Sequence, residues 1–399
     1  MKKLLLLGGL RYLIPVIKSA QKMGHYVITC DYLPHNIAHK YSDEYHNVSI
    51  TDKDAVLNVA RKLQIDGIMS FAVDPGVTTA AYVNEKMNLS CAGPYESIKI
   101  LQNKGLFRNF LEKNNFNVPK SKSYSNIDKA IEEFDYFELP VMVKPVDSAG
   151  SKGVTKVTHK NDLEHALNHA MKSSKTRTII IEDFLESKGC PSDSDCFSID
   201  GKLDFITFSN QRFDPNSPNP YTPSAFSWPS SISDKHKQYL KSELQRLIKL
   251  LNMKSSIYNI EVRETKDNKA YIMEVSPRGG GNRLSEVLYY ATGIDLISYA
   301  IKAALGEELK ELSQPSYKGN WAEVIIYSNE NGKFKELRIN PEINDFIVEV
   351  DLWVKKGDKI NAFTGANEAI GTIILKFDDA EKLDSVLSKY AQYFNVVIE

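Results

Sequence analysis

The chain has 399 residues, enough for two or three domains that each bury a core of their own. Its 42% hydrophobic and 25% charged residues are ordinary for a globular protein, and a net charge of -1 gives no electrostatic reason to expect a nucleic acid or an acidic membrane as partner. Four cysteines without a CxxC pair do not make a disulfide framework, so we expect reduced thiols and a cytoplasmic location.

The first ninety or so residues alternate predicted strands and helices. We expect strands at 4–7, 26–30, 48–50 and 67–71, and helices at 12–23 and 55–63, with Asp52 capping the second helix. This alternation predicts a parallel α/β sheet. The opening apolar run also resembles a secretory segment, but it stops at Arg11 and no clean small-residue cleavage site follows, so we favour a buried strand. No later stretch approaches the ~20 apolar residues of a membrane helix.

The rest of the chain reads as a mixture of helices and strands. Residues 96–117 are predicted to be helical, and a strand is expected at 141–145. The segment 213–231 is rich in proline, serine and asparagine, and we expect a long functional loop that forms one wall of a substrate pocket. Helical stretches near 233–252 and 282–305 precede a strand-rich end with a closing helix near 379–393.

Two short acidic strands carry the strongest functional signal. In a strand at 258–263, Asn259, Glu261 and Arg263 share one face, and in the next, at 271–276, Glu274 and Ser276 share one face. If the strands pair, two carboxylates converge beside arginines and would repel each other unless a divalent cation lies between them. Magnesium, with phosphate oxygens as further ligands, suits such a site, and magnesium with a nucleotide is our first hypothesis.

Two earlier segments are candidates for holding the nucleotide. Lys144 ends a strand and precedes a loop of small residues, 145–153, in which backbone amides are able to face phosphate oxygens. An ordinary turn with a solvated lysine explains the same residues. The segment 178–185 reads either as a buried strand that leaves its sheet or as a hinge beside an adenine, with Phe184 and Leu185 as pocket walls.

In this order the motifs resemble the ATP-grasp superfamily, and most closely its carboxylate–amine ligase and carbamoyl-phosphate-synthase-like branch. The match runs from Lys104 through Lys144 and the hinge to the two acidic strands and the run 277–283. The resemblance implies an α/β and α+β chain, with a Rossmann-like N-terminal α/β domain at 1–95 and an ATP-grasp domain at 96–310. The nucleotide-binding subdomain would span about 118–190, and a small strand-rich α+β domain would occupy 311–399.

The same resemblance implies a set of site residues. The nucleotide would be held by Lys104, Lys144, a lid with Ser148, Gly150, Ser151 and Gly153, the hinge Glu182, Asp183, Phe184 and Leu185, and Asp195 or Asp193 at the ribose. Glu261, Glu274 and Ser276 would ligate Mg²⁺ or Mn²⁺, and Arg278 and Arg263 would be catalytic. Ser276 stands where many members have asparagine, and the segment 192–196 replaces a common Gly-x-Glu.

The reaction implied is phosphorylation of a small-molecule carboxylate by ATP, followed by attack of an amine. Arg212 and Arg283 are candidates for gripping the substrate carboxylate, with structural salt bridges as the equal alternative. Bicarbonate phosphorylation, an ATP-binding module without turnover, and an oxidoreductase built on Gly8-Gly9 and Asp31 remain alternatives. A homodimer is expected from the resemblance.

Overall fold

The N-terminal region of the chain forms the expected parallel sheet. The computed structural model describes residues 1–148 and 150–399. The elements of this region are β1 (Lys3–Leu7), α1 (Ile14–Lys22), β2 (Tyr26–Cys30), β3 (Glu44–His46), α2 (Lys53–Leu63), β4 (Gly67–Ser70), α3 (Asp74–Met87), α4 (Tyr95–Gln102) and α5 (Lys104–Lys113). The strands run parallel in the order β3-β2-β1-β4, and the four leucines of β1 are fully buried between the flanking helices. The predicted cap is confirmed, because the Asp52 carboxylate accepts from the Ala55 amide at 3.0 Å.

Two sequence-based predictions in this region are wrong. The edge strand is β3, not 48–50, because His46 and its neighbours pair with the end of β2 and the chain turns away after them. The helix predicted over 96–117 is two helices, α4 and α5. Asn103 separates them because its side chain accepts from the Leu106 amide at 3.0 Å and so begins a new helix.

A second, antiparallel sheet lies within the segment 118–190, for which a nucleotide-binding subdomain is predicted. Its elements are β5 (Ser121–Tyr124), α6 (Ile127–Glu132), β6 (Val141–Pro145), β7 (Thr155–Val157), α7 (Leu163–Ser173) and β8 (Ile179–Asp183). The strand order is β5-β8-β6-β7, and α6 and α7 cover one face with a small apolar core. The pairing of β6 with β8 places Met142 opposite Glu182 and Lys144 opposite Ile180. The segment predicted to bind phosphate and the predicted hinge are therefore neighbours.

A third sheet carries the acidic strands. The following elements are β9 (Ser192–Ile199), β10 (Lys202–Phe205), β11 (Asn210–Phe213), β12 (Pro223–Trp228), α8 (Asp234–Leu250), β13 (Ser256–Glu264), β14 (Ala270–Ser276), α9 (Leu284–Thr292) and α10 (Leu296–Ala304). The antiparallel order β10-β9-β13-β14 puts β13 in the middle. The helix α8 packs on one side of this sheet, and α9 and α10 join the core shared with the N-terminal sheet.

The C-terminal region adds two further sheets. Its elements are β15 (Asn320–Ile326), β16 (Gly332–Ile339), β17 (Ile347–Leu352), β18 (Lys359–Ile360), β19 (Gly371–Phe377), α11 (Ala380–Ser388), α12 (Tyr390–Tyr393) and β20 (Phe394–Ile398). The sheet β11-β12-β15-β19-β17 crosses the proposed domain boundary at 311, and β18-β16-β20 is a smaller sheet. The prediction of one long loop at 213–231 is therefore wrong, since Pro223–Trp228 is a strand paired with β15. The last strand, β20, was not predicted.

Candidate active site

The two acidic strands pair as the sequence predicts. In the antiparallel register of β13 and β14, Glu261 lies opposite Glu274 and Asn259 lies opposite Ser276. On the other side of β13, Asp193 of β9 lies opposite Glu261. Since side chains alternate between faces, these residues share one face of the sheet. The result is a row of three carboxylates that crosses three neighbouring strands.

Cationic side chains surround the glutamate pair. The Lys104 ammonium lies 3.2 Å from the Glu274 carboxylate and donates to the carbonyl of Ser148 at 3.1 Å. Arg263 lies 3.7 Å from Glu261 on the same strand. Burial lowers the pKa of Lys104, but Glu274, Asp74 and Glu182 together outweigh it, so the pKa lies above its usual value. Lys104 therefore stays charged and joins the glutamate pair to the loop after β6.

The glutamate pair fits a magnesium ion that also binds phosphates. About a third of each carboxyl side chain is exposed, so both reach the cleft. Among the residues described here, no three His, Cys, Asp or Glu side chains converge on a metal-sized site. Magnesium in proteins commonly uses one or two carboxylates and takes its other ligands from water and substrate phosphates. The donor set is thus suited to a metal that arrives with a nucleotide.

The third predicted metal ligand, Ser276, is otherwise engaged. Its side chain is almost fully buried, and its hydroxyl accepts from Gln102 at 2.7 Å and donates to Asp74 at 3.0 Å. The hydroxyl therefore ties β14 to the N-terminal domain. The role of Ser276 as a metal ligand stays a prediction, and Glu261 and Glu274 are the stronger candidates.

Lys144 is held by a buried carboxylate. Glu182, only 1% exposed, accepts from the Lys144 ammonium at 2.9 Å and lies 3.0 Å from the Arg108 guanidinium. Burial alone would raise the pKa of Glu182, but the two cations lower it to about 2. The contact of Glu182 with adenine stays a prediction. The side chain is turned inward, where it positions Lys144.

The other hinge residues lie at the exit of β8. The amides of Asp183 and Phe184 donate to the carbonyls of Lys120 and Pro140 at 2.9 and 3.1 Å. The Leu185 carbonyl accepts from Arg263 at 3.2 Å, which links the hinge to the strand that carries Glu261. The Lys156 ammonium lies over the Phe184 ring, 3.7 Å from the ring centre. The hinge is thus hydrogen-bonded to its neighbours in its own sheet and to the strand that carries Glu261.

The predicted lid reaches across the cleft. The Ser151 hydroxyl donates to the Tyr221 carbonyl at 2.9 Å, so the lid touches the proline-rich segment. Gly150 and Gly153 have φ angles of +66° and +73°, the left-handed region that favours glycine. Ala149, inside the predicted lid, lies outside the described residues. The contacts of Ser148 and Ser151 place this loop above the acidic sheet.

Arg278 is held by a residue that the sequence analysis missed. Both oxygens of Asp74 accept from the Arg278 guanidinium at 2.8 Å, and a third nitrogen donates to Asn259 at 3.1 Å. Asp74 begins α3 directly after β4, at the carboxyl end of a parallel strand, where ligand-binding residues commonly lie. In the sequence, this position after a predicted strand was the feature that could have identified Asp74. The guanidinium thus lies on the face of the sheet that carries Asn259 and the three carboxylates.

The predicted ribose ligands are part of the scaffold. Asp195 is fully buried and accepts from the Gly280 amide at 2.8 Å and from the Ser285 hydroxyl, so it fixes the glycine run to β9. Burial raises the pKa of Asp195 to about 6. Asp193 accepts from Asn259 at 2.6 Å, and burial and then Glu261 raise its pKa to about 8. The oxygens of Asp195 thus hold neighbouring parts of the chain, and its role at the ribose stays a prediction.

Both candidate substrate arginines form salt bridges. Arg212 pairs with Asp384 of α11. The Arg283 side chain is 8% exposed and pairs at 3.0 Å with Glu286 of α9, the helix that follows it, and with Glu349 of β17. Each guanidinium thus has a carboxylate partner, as the structural alternative expects, and the substrate role of both arginines stays a prediction.

The turn at Gly8-Gly9 does not resemble a dinucleotide cradle. A Cβ on Gly9 would lie 2.5 Å from the His39 ring and 2.6 Å from the Asn36 side chain. Asp31 accepts from the Leu33 amide and from Asn36 at 2.9 and 3.1 Å. Side chains of the same domain therefore fill the space that a pyrophosphate would need.

The fold, with its two antiparallel sheets β5-β8-β6-β7 and β10-β9-β13-β14, is the one expected of an ATP-grasp protein. Residues 137–286 match the family model of the ATP-grasp domain. These residues therefore form an ATP-grasp domain within the chain. Within residues 1–148 and 150–399, no helix has the length and apolar character to cross a membrane.

Known proteins are similar over most of the chain. The carbamoyl phosphate synthase large chain of Thermoanaerobacter sp. (strain X514) is 27% identical over 371 residues, which cover 87% of this chain and 33% of that protein. This chain therefore spans about a third of the length of such relatives. Phosphoribosylglycinamide synthetase from Anaerococcus prevotii superposes with a TM-score of 0.77 at 24% identity, covering 100% of both chains. L-amino acid ligase from Bacillus licheniformis superposes with a TM-score of 0.81 at 20% identity, covering 100% of this chain and 99% of that one.

Proposed function

We propose that this chain is an ATP-dependent, Mg²⁺-dependent ligase that phosphorylates a carboxylate and couples it to an amine. The observation that carries the proposal is the cross-strand pair Glu261 and Glu274, joined through Lys104 to the loop at Ser148. Two acidic ligands beside a lysine that touches a small-residue loop are what a metal-bound triphosphate requires. Mn²⁺ would fit the same oxygen ligands.

In this proposal the nucleotide lies between the acidic sheet and the sheet of β6 and β8. Lys144 and Lys104 neutralise phosphate oxygens, and the backbone of Asp183 to Leu185, with the Phe184 ring, lines the adenine pocket. Glu261 and Glu274 hold the metal. When bound, Mg²⁺ would neutralise charge on the phosphate oxygens during transfer.

The chain's own residues then favour transfer by position and charge. The terminal phosphoryl group of ATP passes to an oxygen of the substrate carboxylate, and ADP leaves. The amine attacks the carbonyl carbon, inorganic phosphate departs with the bonding electrons, and the nitrogen loses a proton. Arg278, held by Asp74, stabilises negative charge on the acyl oxygen, and Arg263 supports Glu261. The lid excludes water from the acyl phosphate.

A second candidate is phosphorylation of bicarbonate with ammonia as the amine. The named carbamoyl phosphate synthase relatives favour it, although this chain spans about a third of their length. Substrate choice separates the two candidates, because the metal and phosphate groups would be shared.

The test is a screen for ADP and phosphate release. Purified protein is given MgATP with pairs of small carboxylates and amines, and with bicarbonate and ammonium chloride. We expect release that requires both substrates and Mg²⁺ and that is lost in Glu274→Gln. Glu336→Gln, an exposed glutamate of β16, serves as the matched control. Tight ATP binding without turnover for any pair would favour a non-catalytic binding module, and stabilisation by NAD(P)H instead of MgATP would favour the oxidoreductase.

We also propose a homodimer in the cytoplasm and the domain boundaries 1–95, 96–310 and 311–399. All four cysteines are free thiols, which supports the expected reducing location. Light scattering, cell fractionation and limited proteolysis test these three points.

A further inference from the structure

A cavity lies between the N-terminal sheet and the start of β13. Its walls come from β4, from one face of α3, from the beginning of β13 and from α10. The deep end is buried at Ile68, Val77 and Ile257, and the partly exposed residues 90–92 form the mouth. Its volume of about 60 Å³ has room for about four to six water molecules, at the ~10 to 15 Å³ that one water requires. Protein interiors rarely leave so much space, so the cavity calls for an explanation.

The cavity is bordered by a buried side-chain amide whose oxygen has no partner. Asn84, on α3, is 5% exposed, and no described residue donates a hydrogen bond to its Oδ1 atom. Its nitrogen donates to the carbonyl of Ile68 at 3.4 Å, which is longer than a usual N–H···O bond. A bond of that length does not hold the carboxamide in place, so its oxygen is able to turn towards a ligand.

Elsewhere the chain does satisfy a buried asparagine. Asn210 is 6% exposed, and its oxygen accepts from both the amide and the hydroxyl of Ser231 at 2.8 Å. The isolation of the Asn84 oxygen is therefore not a general feature of this protein. An unpartnered acceptor beside a cavity marks a position where a donor from outside the chain is expected.

Backbone polar groups of an edge strand also border the cavity. Ile68, Met69 and Ser70 of β4 line it in succession. Since side chains alternate between the faces of a strand, three successive residues touch one cavity only where the edge of the strand borders it. β4 is the edge strand of the N-terminal sheet, with β1 as its ladder partner. The N–H and C=O groups of its outer edge therefore add to the polar side of the cavity.

The rest of the lining is mostly apolar and carries no charge. Alanine, valine and isoleucine side chains predominate, and none of the described residues that line the cavity is Asp, Glu, Lys, Arg or His. An ion that entered would lose its hydration without gaining an opposite charge, so an ionic ligand is disfavoured. A neutral molecule with an apolar part and an N–H or O–H donor matches both kinds of wall.

The walls of the cavity also hold Arg278, the proposed catalytic arginine. The helix α3 begins at Asp74, whose two oxygens accept from the Arg278 guanidinium at 2.8 Å. Asn259 of β13 accepts from it at 3.1 Å and closely follows the lining residue Ile257. Pro277, also in the lining, directly precedes Arg278. Three segments that fix Arg278 thus meet at the cavity, and a ligand that packs against them stabilises their arrangement.

We propose that this cavity is an effector site for a small neutral molecule that has an apolar part and an N–H or O–H donor, such as a short amide or alcohol. The donor bonds the Asn84 oxygen, and the apolar part packs against Val77 and Ile257. Occupancy of the cavity then holds Asp74 and Arg278 in their observed pairing. The site goes beyond the proposed ligase reaction, because no step of that reaction uses it.

The first test uses Cys91, a free thiol at the mouth of the cavity. Its alkylation by iodoacetamide is followed by peptide mass spectrometry while isobutyramide is titrated in. We expect isobutyramide to slow the alkylation of Cys91 several-fold. The rate at Cys190 should not change, since Cys190 is a partly exposed free thiol that does not line the cavity.

Two probes of the same shape are the controls for isobutyramide. Methyl isopropyl ketone carries a methyl group in place of the amide nitrogen, so it lacks the donor and should protect Cys91 less. Isobutyrate carries a charge and should give no protection. Unchanged labelling of Cys91 with isobutyramide, equal slowing at Cys190, or equal protection by isobutyrate would overturn the proposal.

Substitution of Asn84 tests the assigned acceptor. Asn84→Leu keeps the shape of the side chain without its oxygen, so the apparent affinity for isobutyramide should fall about tenfold while that for the ketone does not. Asn168→Leu, the same change at an exposed position of α7, should leave the affinity for both probes unchanged. An Asn84→Leu protein that binds isobutyramide as the wild type does would contradict the assignment.

A second variant fills the cavity. Ala81→Leu extends a side chain of α3 into the space, so the protection of Cys91 should be lost while the Tm equals or exceeds that of the wild type. Ala166→Leu, in the small core beneath α7, should lower the Tm because that core is closed. A similar loss of Tm in Ala81→Leu would show that the space is not usable and would overturn the proposal.

Amide hydrogen exchange tests the link to Arg278. Isobutyramide should slow exchange in the first turn of α3 and in residues 277–283, and the effect on 277–283 should disappear in Asp74→Asn. Slower exchange in α3 alone would refute the link. None of these measurements needs ATP or turnover. Failure here therefore leaves the proposed ligase reaction standing, and failure of the ADP-release assay leaves the effector site standing.

Discussion

Replacing Glu182 by glutamine should destabilise the nucleotide-binding subdomain in a pH-dependent way. The carboxylate is 1% exposed and lies within 3.0 Å of both Lys144 and Arg108. Although burial opposes its ionisation, the two cations lower the pKa of Glu182 from 4.5 to about 2. At ~1.4 kcal/mol for each tenfold change in proton affinity, this difference corresponds to about 3 kcal/mol at pH 7. Breaking a buried ion pair commonly costs about 3 to 5 kcal/mol, which is consistent with that figure.

The sign of the pH dependence follows from the lowered pKa. The ionised carboxylate favours the folded state, so its contribution is fully present above the unfolded pKa of about 4.5 and is lost as the pH falls towards 2. The stability difference between wild type and Glu182→Gln should therefore be constant from pH 7 to about 5 and shrink at lower pH. Glu133→Gln, in the same subdomain but with an exposed ion pair to Lys122, should show a far smaller loss.

The assay is urea denaturation followed by circular dichroism at a series of pH values. Amide hydrogen exchange in β6 and β8 locates the loss, because a chain of several domains need not unfold in one step. A Glu182→Gln protein as stable as the wild type at pH 7 would refute the reasoning. A difference that stays constant down to pH 3 would refute the assignment of the lowered pKa.

Three further predictions concern the proposed reaction. Glu274→Ala should reduce kcat at least about 100-fold in the ADP-release assay with an unchanged circular dichroism spectrum, since it removes a metal ligand from a partly exposed position; wild-type activity would contradict the metal assignment. Lys144→Ala should weaken ATP binding about 10- to 100-fold by calorimetry, from the loss of a charged hydrogen bond, and unchanged affinity would count against the phosphate role. Asp74→Asn should lower kcat about tenfold or more with little change in the KM for ATP, because the Arg278 guanidinium loses a carboxylate that accepts two of its hydrogen bonds. Equal changes in kcat and KM would instead indicate a general loss of structure.

Local patterns were sufficient for the elements that carry the chemistry. The alternating acidic residues of β13 and β14 placed Glu261 and Glu274 on one face, and the pairing found in the structure agrees. The buried leucines of β1 and the cap at Asp52 were also predictable, because propensity, burial pattern and capping act over a few neighbouring residues. Errors arose where a single side chain interrupts a pattern, as Asn103 does between α4 and α5.

The chain's sequence by itself therefore determined the order of its motifs, the parallel N-terminal sheet and the acidic pair that defines the candidate site. Only the tertiary structure decided which charged groups face one another across long stretches of chain. It paired Arg278 with Asp74 and Lys144 with Glu182, and it buried the Glu323 carboxylate where no described residue hydrogen-bonds to it. The physical reason is that a charged side chain's role depends on its burial and on its nearest opposite charge, and both are set by residues distant in sequence.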